Sequence, residues 1–105
     1  MPRIVNTYLA SQDAERLRKF LQEKNPAAAK RAADAIREGI KKIATHPEGY
    51  APVKDMPYHR EISIKFGSRA YIVRYHYEPG GDITILRMRH SRENGYPDID
   101  DTDES

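Results

Sequence analysis

At 105 residues, 12.1 kDa and no cysteine, the chain is one domain with a modest core, and disulfide scaffolds, thiol catalysis and cysteine-ligated metal sites are excluded. Hydrophobic residues at 38% against 32% charged supply enough apolar material to fold, which excludes wholesale disorder. The net charge of +2 hides an asymmetry: five of the 16 acids fall in the last nine residues, so residues 1–96 hold 18 cations against 11 acids, or +7. A body that basic attracts polyanions or acidic partners.

Arg3-Ile4-Val5-Asn6-Thr7-Tyr8 alternates among strand formers and reads as a first strand. Ser11 can cap a helix through Lys24, with Leu17, Phe20 and Leu21 at helical spacing. Asn25-Pro26 then starts a second helix, since Asn is a favoured cap and Pro at the first helical position loses no hydrogen bond. Ala29, Ala32, Ala33, Ile36, Ile40 and Ile43 form its apolar stripe, and His46-Pro47 ends it. Replacing Ile36 or Ile40 by Ala is expected to cost about 2–4 kcal/mol if that stripe faces the sheet.

Residues 47–58, with three prolines and a glycine, read as a loop. Strand patterns follow over 60–66, 70–77 and 83–90, separated by Gly67-Ser68 and Pro79-Gly80-Gly81 turns too short for crossovers. The order is β-α-α-β-β-β, an α+β fold whose helical hairpin packs on one face of a small, mainly antiparallel sheet and leaves the other face to solvent or ligand. One domain over 1–96 is expected, with an acidic, disordered tail over 97–105. No apolar run nears the ~20 residues of a membrane span, and Arg3 is followed by a strand pattern rather than a signal-peptide core. A cytoplasmic protein without a membrane partner is the expectation.

Several strings in this order resemble the RelE/ParE superfamily of type II toxin–antitoxin toxins, also called plasmid stabilisation proteins. They are Lys24-Asn25-Pro26-Ala27-Ala28-Ala29, Ile43-Ala44-Thr45-His46-Pro47, Arg60-Glu61, Ile72-Val73-Arg74-Tyr75 and Ile83-Thr84-Ile85-Leu86-Arg87-Met88-Arg89-His90-Ser91-Arg92. The Asn-Pro-Ala helix start and the Leu-Arg-x-x-His-x-Arg ending are more similar to the ParE branch. That resemblance implies a poison of DNA gyrase that traps the cleaved DNA complex and is neutralised by a cognate antitoxin encoded beside it. The antitoxin is implied to wrap the toxin with an extended or helical C-terminal segment.

The alternative that the resemblance carries is a RelE-like endoribonuclease that cuts messenger RNA on the ribosome. Its relatives use an Arg/Lys cluster with a Tyr, a His or a Glu on the exposed sheet face, to which Arg87, Arg89, His90, Arg92 and Tyr96 could contribute here. They also place an Arg early in the third strand, where this chain has Tyr71-Ile72, and their second-strand lysine pair is reduced to Arg60 and Lys65. A third reading, a non-toxic nucleic-acid-binding module, rests on the +7 body alone.

Cleavage through a 2′-hydroxyl needs a base, an acid and cations around the phosphate. His90 is the histidine set among arginines, yet strand alternation puts it with Leu86 and Met88, which read as core, on the face opposite Arg87 and Arg89. It reads as an anchor of the turn after the last strand or, second, as a base. Arg16, Arg31, Arg74, Arg87, Arg89 and Arg92 are candidates for contact with the target or the antitoxin, or are a solvated surface. The tyrosines at 71, 75 and 77 share a face and serve core packing or base stacking. His46, His59, His76 and His90 are too scattered for a metal site, and no cofactor motif is present.

Overall fold

The computed structural model describes residues 1–99, so most of the acidic tail expected over 97–105 lies outside the described residues. In chain order the elements are β1 (Ile4–Asn6), α1 (Tyr8–Lys24), α2 (Pro26–Thr45), β2 (Ala51–Pro52), β3 (His59–Phe66), β4 (Arg69–Tyr77) and β5 (Ile83–His90). The strands form one sheet of order β1-β5-β4-β3-β2, antiparallel except where β1 runs parallel to β5. Both helices lie on one face, so the α+β arrangement read from the sequence is the one observed, with β2 added.

Three local readings are corrected. The first helix starts at Tyr8 rather than Ser11, because the Thr7 side chain accepts the Ala10 N–H at 3.1 Å while its hydroxyl donates to the Ile85 carbonyl at 2.9 Å. Thr7 thus ends β1 and begins α1, leaving a strand of three residues. Second, the 47–58 segment contains β2, which pairs Ala51 with Glu61 and Pro52 with Arg60 along the edge of β3, the position in a sheet where proline is tolerated. Third, the register between β4 and β5 shifts at Arg74/Tyr75: Arg74 faces Arg87 and Tyr75 faces Ile85. Leu86 is left without a cross-strand partner, which makes it the extra residue of a bulge and not the fully buried core position that simple alternation gives.

The core lies between the helices and the inward positions of β3, β4 and β5. Ile62, Ile64, Val73, Tyr75, Ile83, Ile85 and Met88 meet Ala10 and Leu17 of α1 and Ala32 and Ile43 of α2. Burial pushes the Tyr75 phenol up to about 12, and its hydroxyl donates to the Pro47 carbonyl at 2.6 Å, tying the end of the hairpin to the sheet. Asn25 caps α2 by accepting the Ala28 N–H at 3.1 Å, as its sequence signature requires. Gly39 is buried at the crossing of α2 over β3, where a Cβ would collide with Cδ1 and Cγ1 of Ile64.

The apolar stripe of α2 is uneven. Ile43 is fully buried, whereas Ile36 and Ile40 are only partly buried and face the space between the two helices. The expected 2–4 kcal/mol at Ile36 and Ile40 therefore belongs to Ile43, since a side chain that already borders open space leaves less cavity when truncated.

Candidate functional site

Glu61, Arg74 and Arg87 stand side by side across β3, β4 and β5 on the face away from the helices. After β5 the chain turns back over this face and lays Tyr96 on it. The guanidinium carbons of Arg74, Arg87 and Arg89 sit 5.0, 5.3 and 5.5 Å from the ring centroid of Tyr96, within cation–π range. Its hydroxyl donates to Glu61 at 2.9 Å, and the same carboxylate oxygen accepts from Arg74 at 2.9 Å. Burial, reinforced by the Glu61 charge, raises the phenol far above its usual range. The sheet face expected to be open is thus covered at its centre.

Arg87 reaches past the sheet edge to α1. Its Nε and Nη2 donate to Asp13 at 2.7 and 3.1 Å, and Nη2 also donates to the Pro97 carbonyl. Asp13 is wholly buried; it further accepts the Met88 N–H at 2.9 Å and Arg16 Nη2 at 3.1 Å. Burial alone pushes this carboxyl up, but the bonds from Arg87, Met88 and Arg16 together hold it below the ordinary aspartate value. Arg16 completes the bridge, donating to Glu93 at 2.6 Å and to the Met88 carbonyl at 3.2 Å. The Met88 N–H is open to Asp13 because β1 ends at Asn6, so a helix side chain satisfies the strand edge where the neighbouring strand stops.

His90 lies on the helix side, opposite Tyr71, with the two rings edge to face at 5.4 Å. Its Nδ1 accepts the Arg92 N–H at 3.1 Å, which assigns the proton to Nε2. Burial lowers its pKa below the ordinary histidine value, so the ring is neutral at pH 7. It anchors the turn, the first of the two roles read for it.

The sequence-derived candidates therefore separate. Arg74, Arg87, Arg89 and Tyr96 come together; Arg92 is exposed just past β5; Arg31 is exposed on α2 in the other layer. Arg16 and Arg87, read as long exposed contacts, are instead ion-paired and no more than a third exposed. Asp13, Glu61 and Glu93, which organise the cluster, were missed. The i,i+3 spacing of Asp13 and Arg16 was the one local signal, and nothing local points to Arg87 some 74 residues on.

On the other face, α1 and α2 splay to leave a groove of about 570 Å³ floored by Ile4, Tyr71 and Met88 and walled by Leu17, Leu21, Ala29, Ala33, Ile36 and Ile40. Its rim cations Arg18, Arg37 and Lys41 are each paired with an acid three residues earlier. Among the described residues no three His, Cys, Asp or Glu side chains gather closely enough to hold a metal ion, and no helix is long and apolar enough to cross a membrane.

The arrangement has relatives. Toxin RelE3 of Caulobacter vibrioides is 34% identical over 85 residues, spanning 80% of this chain and 88% of that toxin. Toxin RelE1 of the same organism is 33% identical over 84 residues, spanning 80% and 87%. The solved chromosomal ParDE TA system from P. aeruginosa contains a chain that superposes with a TM-score of 0.72 at 19% identity, covering 88% of this chain and 98% of that one, a likeness of fold. The family model described as ParE toxin of type II toxin-antitoxin system, parDE, matches residues 4–95. With that match over nearly the whole folded body, the chain belongs to the RelE/ParE superfamily of type II toxin–antitoxin toxins.

Proposed function

We propose that this chain is a gyrase-directed toxin of the cytoplasm, held in check by a cognate antitoxin. One observation carries the choice: the sheet-face groups that an RNase mechanism needs are spent on one another. Arg74 is paired with Glu61 and Arg87 with Asp13, the Tyr96 hydroxyl donates inward, and the acceptor nitrogen of His90 is filled by the Arg92 amide on the opposite face. A general base must have a free lone pair within reach of the proton it takes. A poison that acts by occupying a protein surface has no such requirement.

The antitoxin's place in this reading is the groove between α1 and α2. Its apolar walls and charge-balanced rim suit the apolar stripe of an amphipathic helix or an extended segment, with the basic body drawing an acidic partner. The RelE names of the two Caulobacter toxins favour the second reading, a ribosome-dependent messenger endoribonuclease. Purified toxin incubated with gyrase, ATP and supercoiled DNA, beside a ribosome programmed with a defined messenger, separates the two. Linear DNA covalently held by gyrase with an intact messenger is expected; messenger cut at ribosomal positions with normal supercoiling would overturn the gyrase reading.

A further inference from the structure

Among the described residues, the cations at one end of the sheet have no carboxylate partners. Lys65, Arg69, Arg89 and Arg92 make no salt bridge among the described residues, in contrast to Arg3, Arg16, Arg18, Arg37, Lys41, Arg74 and Arg87. The fold gathers all four at one rim. Lys65 is opposite Ala70 in the β3–β4 register, Arg69 is opposite Phe66, and Arg89 is opposite Ile72. The Ser91 N–H donates to the Ala70 carbonyl at 2.9 Å and the Ala70 N–H to Ser91 Oγ at 3.2 Å, which fixes Arg92 beside Arg69. Both of those arginines are exposed, as is Lys65, and Arg89 is held in place by the His90 and Glu93 carbonyls at 3.4 and 2.9 Å.

We infer that this rim binds the phosphodiester backbone of duplex DNA. Neighbouring strands lie about 4.8 Å apart; Lys65 on β3 and Arg89 on β5, both on the face away from the helices, flank Arg69 on the helix side of β4, so the three edge the end of the sheet at a spacing that phosphates of one DNA strand can match. Protein partners are recognised through buried apolar anchors ringed by polar groups. The exposed large apolar residues, Met1, Val5, Tyr8, Phe20, Met56 and Tyr58, lie on or before β1, on α1 and in the loop before β3, and none is on this rim. Single-stranded RNA is gripped by stacking its bases on exposed aromatic rings. Of the rings nearest the rim, Tyr71 is buried in the core, Phe66 is half-buried against it with ring centroids 5.9 Å apart, and Tyr96 is half-buried against three guanidiniums; none presents an open face. What remains is charge without anchors or stacking platforms, the chemistry of sequence-independent phosphate contact.

The inference deepens the gyrase reading, since a toxin that touches DNA directly can grip both halves of a cleaved protein–DNA complex. Its test needs no gyrase, so the two readings can fail separately. Fluorescence anisotropy of a labelled 20-base-pair duplex, titrated with the full chain over a salt series, should give a logarithmic slope of about −3 to −4. Arg69→Ala/Arg92→Ala should weaken binding several-fold and reduce that slope by about 2, with an unchanged circular dichroism melt, because both side chains are exposed. A labelled single-stranded RNA of equal charge should bind more weakly. No duplex binding at 50 mM salt, an unaltered slope in the double variant, or preference for the RNA would overturn the inference. DNA binding that follows these expectations while gyrase turns over normally would refute only the gyrase reading.

Discussion

Asp13 on α1 and Arg87 on β5, 74 residues apart, are joined by two hydrogen bonds at 2.7 and 3.1 Å with the carboxylate wholly buried. The pair fastens the helical layer to the strand edge, and through Arg87 it also positions the ring of Tyr96. Removing one partner strands the other. Asp13→Ala should therefore cost about 3–5 kcal/mol, whereas Asp13→Leu combined with Arg87→Met should cost less than the two single changes together. Urea denaturation of the four proteins completes the cycle; additive costs would show that the pair is not coupled.

Acid should destabilise this protein in two windows. The folded-state pKa of Asp13 is depressed, so its contribution is complete above the unfolded value near 3.8 and disappears as pH falls through the lower folded value. His90 is also depressed: the unfolded chain takes up its proton first, and stability declines from about pH 6.5 downward until the folded ring protonates as well. His90→Gln should flatten the urea midpoint between pH 7 and 5, and Asp13→Asn should flatten the fall below pH 4. A slope between pH 7 and 5 that persists in the His90 variant would contradict this assignment.

Positions along the apolar stripe of α2 should respond differently to truncation. Ile43→Ala is expected to cost about 3–4 kcal/mol, while Ile36→Ala and Ile40→Ala cost about 1–2 kcal/mol because their sites border the groove. The second pair should instead weaken capture of the antitoxin about tenfold or more in a co-purification or calorimetric titration, as anchors in an interface do. Equal losses of stability at all three positions would mean that the groove is closed in solution.

Gly39→Ala gives a sharper test of packing. Ala is the better helix former by about 1 kcal/mol, but its methyl has to displace Ile64 at the α2–β3 crossing. Overpacking of that kind costs about 1–3 kcal/mol, so a net loss of stability is expected. Ile64→Val in the same background should restore part of it.

Toxicity in cells discriminates between poison and nuclease. His90→Ala should leave growth arrest largely intact once protein levels are matched, whereas Arg89→Glu or Arg92→Glu should weaken it, because attraction and contact depend on charge while no proton moves. Loss of a true general base would lower the rate by about 10²–10⁴-fold. Growth restored by His90→Ala at equal abundance would favour RNA cleavage.

Most of the fold is legible in the chain because its signals are local. The Asn25-Pro26 cap, the alternation in β3 and the Gly67 and Gly80 turns, both at positive φ, act within a few residues. What escaped depends on distance. Thr7 looks like a strand residue until the Ile85 carbonyl is there to receive its hydroxyl. The bulge at Leu86 arises from the register of β4, and Asp13 looks like one more polar residue on a wet helix. Of the site, the arginines and Tyr96 could be named from sequence, but their carboxylate partners could not. An ion pair across 74 residues leaves no periodic trace, and without those partners charges already neutralised look free.

Segments far apart in the sequence meet on β5. Its edge receives β1, whose Arg3 carbonyl accepts the Ile83 N–H at 2.8 Å, and farther along it receives Asp13, while Glu93 returns from the C-terminal side to Arg16. The first sixteen residues therefore have their partners in the last quarter of the chain. Such long-range closure slows folding relative to assembly from neighbours, and the order of synthesis sharpens the effect. A nascent chain ending before Ile83 has its helical hairpin but lacks the strand that both segments require. The centre of the sheet and the basic rim come into being together, only once β5 has been made.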